Sequence, residues 1–281
     1  MGSLHRLNAR PTSNNVVATD ERLSGSPLLS IVVPAKDEAE NLPALAGRIR
    51  QALAGVVDYE MVIVDDHSSD ATAAVAAELG RHHPVIVVIR RNAVPGKGYA
   101  LLDGFARGLG PLVCMIDADL QYPPEAILEM VAKVRAGADV VVANRVRHHT
   151  SALRRVVSRL SYGFVQALYA LDVDVQSGLK VIRREVLDRI YVRPSGWAID
   201  LDILMSAKAG GYVIVGHDIE FDRRRHGETK VRLGRTTWQI ARRAIALKVA
   251  GLRGASGRPR DAVPIRAPRR VGVEPPATPA A

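Results

Sequence analysis

Two acids one residue apart follow an apolar run in MIDADLQYPPE, residues 115–125. On extended backbone, positions i and i+2 project to the same side. Asp117 and Asp119 therefore place two negative charges in one small volume, an unfavourable arrangement unless a cation lies beside them. Gln121 adds an amide oxygen at the same spacing. Oxygen donors of this kind suit a hard divalent cation, Mg2+ or Mn2+, which takes one or two protein carboxylates and completes its shell with phosphate and water. The chemistry this implies is metal-assisted departure of a diphosphate, with Asp117, Asp119 and Gln121 as candidate ligands. The competing structural role is a turn or helix cap ahead of Pro123-Pro124.

Other groups could serve the same chemistry. Asp65 and Asp66 end the apolar run MVIV and could accept hydrogen bonds from a base or a ribose, or cap the next helix. The loop Gly96-Lys97-Gly98 could approach a phosphate closely, with Lys97 supplying charge, although its spacing is not that of a Walker loop. The pairs His82-His83 and His148-His149 lack partners at metal-site spacing and are expected on the surface.

The elements that must hold these residues follow from periodicity. Strands are predicted at Leu29–Val33, Tyr59–Val64, Val85–Ile89, Leu112–Ile116 and Val140–Ala143. Helices are predicted at 41–54, 71–79, 97–108 and 125–136; in the first, Leu42, Leu45, Ile49 and Leu53 form one stripe. This alternation predicts an α/β fold with a mostly parallel sheet and helices on both faces. Ligands of such sheets bind beyond the carboxyl ends of the strands. Those ends carry Lys36-Asp37-Glu38, Asp65-Asp66, Arg90-Arg91, Asp117-Ala118-Asp119 and Asn144-Arg145, so acids and bases gather along one edge.

Charge is distributed unevenly over the 281 residues. Residues 1–144 hold 17 acids against 13 bases, whereas residues 223–253 hold ten bases and one acid. A basic block of this kind suits an anionic partner, either nucleic acid or a membrane surface. Nucleic acid is disfavoured, because the basic segments offer only Trp238 for base stacking and the front half is acidic. Residues 236–253 are expected to form a basic amphipathic helix, with Trp238, Ala241, Ile245, Val249 and Leu252 on one side and Arg242 and Arg243 opposite. Such a helix could lie in an anionic bilayer interface or pack on the domain. No apolar run reaches the ~18 residues of a membrane-spanning helix. Residues 1–27 are expected as a disordered leader and 254–281 as a disordered tail rich in Pro, Ala and Arg. The single cysteine, Cys114, excludes an internal disulfide and is expected as a buried, inert thiol. With no signal-peptide pattern either, the chain is expected on the cytoplasmic side.

Eight segments, in order, carry a family resemblance: SIVVPAKDEAENLP, MVIVDDHSSDAT, GKGYALLDGF, MIDADLQYPPE, VVANR, DVQSGLKVIRREVL, WAIDLDIL and RRHGETK. Together they resemble the inverting family 2 glycosyltransferases of the GT-A fold, in particular the dolichol- and polyprenol-phosphate sugar synthases. The resemblance spans roughly residues 28–235. It implies that Pro34, Ala35 and Glu38 contact the nucleotide and that Val64 and Asp66 hold base and ribose. It also implies that Asp117, Asp119 and Gln121 hold metal and diphosphate, with Ala118 in backbone contact. Arg145, Arg154, Ser158, Arg224 and Lys230 would face the acceptor phosphate. Asp202 stands near the sugar, where the family usually has Glu. Catalysis is expected to rest on Asp119, Arg145 and Asp202. The chain departs from the family at Lys36, where an aromatic residue is usual, and at Leu179 and Thr229.

The function this implies is transfer of a hexose from GDP-mannose or UDP-glucose to a polyprenyl phosphate at a membrane surface, leaving open a separate membrane anchor protein. A phosphate acceptor is already anionic and needs no strong general base. An alternative acceptor, a hydroxyl, would need Asp202 to take its proton.

Overall fold

The structure, a computed structural model, describes residues 28–92, 94–148, 171–192, 199–222 and 263–264. Short apolar runs form β1 (Leu29–Ala35), β2 (Tyr59–Asp65), β3 (Ile86–Arg90), β4 (Leu112–Met115) and β5 (Val140–His148). The periodic stretches between them form α1 (Leu42–Leu53), α2 (Thr72–His82), α3 (Lys97–Arg107) and α4 (Ala126–Arg135). These elements match the sequence expectation closely. The main departure is β5, which runs past Ala143 because pairing with an outer strand continues to His148. The later chain adds β6 (Lys180–Arg183), α5 (Arg184–Arg189), β7 (Tyr191–Val192), α6 (Ile199–Ala209), β8 (Ile214–Phe221) and β9 (Val263–Pro264).

Seven strands form one sheet in the order β3-β2-β1-β4-β6-β5-β8. All neighbours are parallel except β6, which runs antiparallel to both β4 and β5. The chain leaves β1 toward β2 and β3, then crosses back to β4 on the other side of β1. A crevice opens beyond the strand ends at such a reversal.

Strand residues alternate between two apolar layers, as their period of two requires. Ile31, Val33, Ile63, Cys114 and Val141 pack with Leu45 and Ile49 of α1 and with Ile127 and Met130 of α4. Val32, Val62, Val64, Val113 and Val142 pack with Leu101 and Phe105 of α3 and with Ile203 and Leu204 of α6. Gly104 lets α3 sit close on β1, because a Cβ there would lie 2.3 Å from a Val32 methyl. Cys114 is fully buried, and burial pushes its thiol far above the usual range, consistent with an inert core residue.

The predicted leader and amphipathic helix lie outside the described residues. Within the predicted tail, Val263–Pro264 pair with Tyr191–Val192 as a two-stranded ribbon, so that stretch is not unstructured throughout. Pro264 is tolerated there because a ribbon this short asks little of its missing N–H.

Candidate active site

Three loops at the carboxyl edge of the sheet each contain a non-glycine residue in the left-handed region: Asp37 (φ 50°), His67 (φ 60°) and Leu120 (φ 61°). They follow β1, β2 and β4. Residues held in this region cluster where the surrounding structure over-determines the backbone, commonly at functional sites.

The first two loops are stitched together. The Asp37 carboxylate accepts from the Ser69 backbone N–H at 2.7 Å and from its hydroxyl at 3.0 Å, while the Asp37 N–H donates to Ser68 Oγ at 2.9 Å. Glu38 is buried; its N–H donates to Thr72 Oγ1 at 2.8 Å and its carboxylate accepts from Asn41 at 2.6 Å. Pro34 and Ala35 end β1, and the Ala35 carbonyl accepts the Asp66 N–H at 2.8 Å. Lys36 is exposed at this edge. Val64 is a fully buried core residue of β2, paired with β1 on one side and β3 on the other.

Asp66 has a structural task as well as an expected binding one. One of its oxygens pairs with Arg91, and the other accepts the Gly96 N–H at 2.7 Å. Arg91, itself buried, also pairs with Asp103 at 2.6 Å and lies 5.7 Å from the centre of the Tyr99 ring. Asp66 thereby anchors the loop that presents Lys97.

After β4 the backbone is not extended as expected but turns at Ala118–Asp119, the competing reading of this stretch, and exposure alternates along the turn. Ala118 and Leu120 are buried, whereas Asp117, Asp119 and Gln121 are partly exposed. Asp119 accepts the Gln121 N–H at 3.3 Å. Gln121 is also tied to the end of β8, where its side-chain amide donates to the Asp222 carbonyl at 3.1 Å and its own carbonyl accepts the Asp222 N–H at 3.0 Å.

The cation beside Asp117 in this structure is Lys97, whose ammonium lies 2.6 Å from Asp117 Oδ1. Burial would lower the Lys97 ammonium, but the carboxylates of Asp117 and Asp200 together hold it well above the ordinary lysine range. Asp200 lies 4.0 Å from Lys97 and 2.5 Å from the fully buried Lys180. Lys180 also donates to the Ser177 carbonyl. Burial pulls its ammonium below the ordinary range, against the attraction of Asp200. Gly178 completes the cradle, since a Cβ there would stand 2.1 Å from Asp117 Oδ2.

Arg145, expected to face the acceptor, holds Asp174 through two hydrogen bonds of 2.5 and 3.0 Å. Its guanidinium lies 5.2 Å from the Phe221 ring centre, and Phe221 packs edge-on against Tyr122 at 4.9 Å. Burial pushes the Tyr122 phenol up to about 12, and its oxygen accepts the Gly178 N–H at 2.7 Å. Arg145 and the acidic stretch 117–122 therefore share the Phe221 side chain.

The oxygens of Asp117, Asp119 and Gln121 fit a hard cation. Among the described residues no three His, Cys, Asp or Glu side chains gather as a metal cage. A hard cation held by one or two carboxylates completes its shell with phosphate and water.

The structure brings together Lys97, Asp117 and Arg145 with four residues that the motif reading did not assign: Asp174, Lys180, Asp200 and Phe221. Lys180 carried a signal, since a lysine opening the apolar strand KVIR must be paired if buried. Asp200 is the acid of α6 that pairs with the lysines. Asp202, 2% exposed, lies two residues on, roughly 200° round the helix. Arg154, Ser158, Arg224 and Lys230 lie outside the described residues.

The sequence profile described as glycosyl transferase family 2 matches residues 30–191. The chain belongs to glycosyl transferase family 2. A dolichol-phosphate mannosyltransferase of Pyrococcus furiosus is 33% identical over 222 residues, covering 76% of this chain and 62% of that protein. A polyprenol monophosphomannose synthase of Mycolicibacterium smegmatis is 33% identical over 216 residues, covering 72% and 80%. The chain spans about half the length of an undecaprenyl-phosphate 4-deoxy-4-formamido-L-arabinose transferase of Enterobacter, at 38% identity and 57% of its own length. The fold of this family 2 chain is GT-A. It superposes with a TM-score of 0.65 on glucosyl-3-phosphoglycerate synthase of Mycobacterium tuberculosis in complex with Mn2+, UDP-glucose and phosphoglyceric acid, at 20% identity over 79% of this chain and 80% of that one.

Proposed function

We propose that this glycosyltransferase moves a hexose from a nucleotide sugar to a polyprenyl phosphate, with Mg2+ or Mn2+ as cofactor. The observation that carries the reading is the meeting of Asp117, Lys97 and Asp200 beyond the carboxyl end of β4, with Arg145 joined to the same acidic stretch through Phe221. The names of the relatives support the acceptor, and the Mn2+ and UDP of the structural neighbour support the cofactor and donor class.

Asp117, Asp119 and Gln121 would hold the cation, which neutralises charge developing on the departing diphosphate. Lys97 adds a positive charge from the first turn of α3, where backbone N–H groups also face an anion. An oxygen of the acceptor phosphate attacks the anomeric carbon as its bond to the nucleoside diphosphate breaks, inverting that centre. No side chain need take a proton, because the attacking oxygen is already anionic. Arg145 orients the acceptor phosphate, itself aligned by Asp174 and Phe221; Arg154, Ser158, Arg224 and Lys230 are further acceptor contacts. Pro34, Ala35, Glu38, Val64 and Asp66 would frame the nucleotide pocket, and Asp202, on the same helix as Asp200, is the proposed contact with the sugar. Among the described residues no helix is long and apolar enough to cross a membrane. The basic segment 236–253 is the proposed contact with an anionic, cytoplasm-facing bilayer, and a separate anchor protein is compatible with it.

The test is a donor screen. GDP-mannose and UDP-glucose, each labelled in the sugar, are incubated with polyprenyl phosphate vesicles and Mg2+ or Mn2+, and label is followed into the organic phase. Transfer from at least one donor is expected, along with its loss in Asp119→Asn. Full transfer by Asp119→Asn would sink the metal role, and label reaching only hydroxyl acceptors would sink the lipid phosphate.

A further inference from the structure

Why does Asp117, a proposed metal ligand, already hold a lysine? The pair is no loose surface contact. Lys97 is 15% exposed and Asp117 27%, and their charged atoms are 2.6 Å apart. Lys97 has a second acid within reach, Asp200, at 4.0 Å. That acid is engaged on its other oxygen by Lys180 at 2.5 Å, inside the core. Lys97 thus stands between a strong partner, Asp117, and a half-neutralised one, Asp200.

The charges of these four groups cancel. A bare divalent cation arriving at Asp117 would meet the ammonium of Lys97 at contact distance, and in a partly desolvated pocket that repulsion is large. A nucleoside diphosphate changes the balance. Its phosphates offer Lys97 a new anionic partner and bring negative charge that offsets the incoming cation. Asp200 holds the lysine close to the same place while it changes partners.

We propose that Lys97 is the resident counter-ion of Asp117, and that the donor's diphosphate must draw it away before Asp117 can bind a metal. The inference rests on the glycosyltransferase reading and adds an order to it: Lys97 keeps metal affinity low until the nucleotide is present. Lys97 is then a positioning residue that couples the two ligands, and the coupling is reciprocal, because metal and nucleotide must each raise the other's affinity by the same factor. The device also prevents the protein from holding a cation with no diphosphate to serve.

The test uses Mn2+ as probe, with free ion measured by electron paramagnetic resonance as it is titrated into the full chain, alone or with saturating UDP or GDP. Lys97→Met keeps the length of the side chain and removes its charge; Lys97→Arg keeps the charge. Wild type should bind Mn2+ weakly alone and at least about 10-fold more tightly with nucleotide. Lys97→Met should bind Mn2+ alone about 10-fold more tightly than wild type and lose a matching share of the nucleotide effect. Lys97→Arg should keep the wild-type pattern, and circular dichroism should report the wild-type fold for both variants. Unchanged or weaker binding of Mn2+ alone to a folded Lys97→Met overturns the proposal, as does a Lys97→Arg protein that behaves like Lys97→Met. Wild type that binds neither Mn2+ nor either nucleotide overturns the glycosyltransferase reading and this inference with it, whereas normal nucleotide binding with an unmoved Mn2+ affinity in Lys97→Met overturns this inference alone.

Discussion

The two ends of the central sheet use charge differently. At the amino edge, charged side chains bind mostly backbone, although Arg183 also pairs with Asp139 at 3.4 Å. Arg184 donates to the carbonyls of Gly110 at 2.6 Å and Phe105 at 3.0 Å, and Arg183 to those of Val134 at 2.6 Å and Ala138 at 3.1 Å. Each arginine binds one carbonyl in the last turn of a helix, Phe105 of α3 or Val134 of α4, and one in the loop that follows it. Glu60 accepts from Ser30 Oγ at 2.7 Å and from the Leu109 N–H, tying β1, β2 and the loop before β4. At the carboxyl edge, charge meets charge: Lys97 with Asp117, Lys180 with Asp200, Arg145 with Asp174 and Arg91 with Asp66. A carbonyl held by an arginine has no ligand to exchange it for. A lysine held by a carboxylate can be transferred to a phosphate. The amino edge is built to stay as it is; at the carboxyl edge the buried pairs of Lys180 and Arg91 hold the frame, and the more exposed pairs of Lys97 and Arg145 can trade partners.

The sharpest way to break this contrast is Asp200→Asn. It leaves Lys180 buried without a compensating charge, and we expect a loss of about 3–5 kcal/mol in urea unfolding together with loss of transfer. The double change Lys180→Met with Asp200→Leu should restore stability to within about 1 kcal/mol and leave transfer lost, because well-packed apolar groups can replace a buried ion pair without cost to the fold. Recovery of transfer in the double variant would show that this pair serves the fold alone. Arg184→Met is the counterpart at the opposite edge. Removing two charge-assisted bonds to backbone should cost about 2–3 kcal/mol in the same unfolding assay, with unchanged kcat for the folded protein. A fall in kcat there would erase the distinction between the edges.

Phe221→Leu probes the bridge between Arg145 and Tyr122. It should cost about 1–2 kcal/mol and raise the acceptor KM about five-fold while leaving the donor KM close to wild type. Equal changes in both KM values would place Phe221 outside the acceptor side of the site. The smallest effect is expected from Arg48→Ala, which breaks an exposed pair with Glu125 at 2.8 Å between α1 and α4. Less than about 0.5 kcal/mol should be lost, with no kinetic change. A larger loss would mean that surface charge, too, holds this fold.

Much of the front half was legible in the sequence. The strands and helices from Leu29 to Ala143 follow from local periodicity, because alternation and helical stripes are properties of short segments. The extended path expected for Asp117 to Gln121 was not found: the chain turns at Ala118–Asp119, a choice set by the left-handed Leu120 and not by alternation. The second half was harder. α6 is buried nearly all round, with Ile199, Asp200, Leu201, Asp202, Ile203 and Leu204 all inside, so no stripe marked which of its two acids faces the lysines. KVIR, the whole of β6, does not announce its direction. The expectation of an unstructured tail missed Val263–Pro264, whose pairing depends on a strand some seventy residues earlier.

The sequence by itself determined the class of sheet, its two apolar layers and the presence of acids and bases at the strand ends, since each follows from residues close together in the chain. Tertiary structure alone decided which base meets which acid. Lys97 reaches Asp117 because the chain crosses back over β1 to place β4 beside it. Lys180 reaches the same edge because β6 runs backwards and presents its first residue where its neighbours end. Pairs separated by 20 or more positions, such as Lys180 with Asp200 and Arg145 with Asp174, depend on strand order and direction, which no local pattern records.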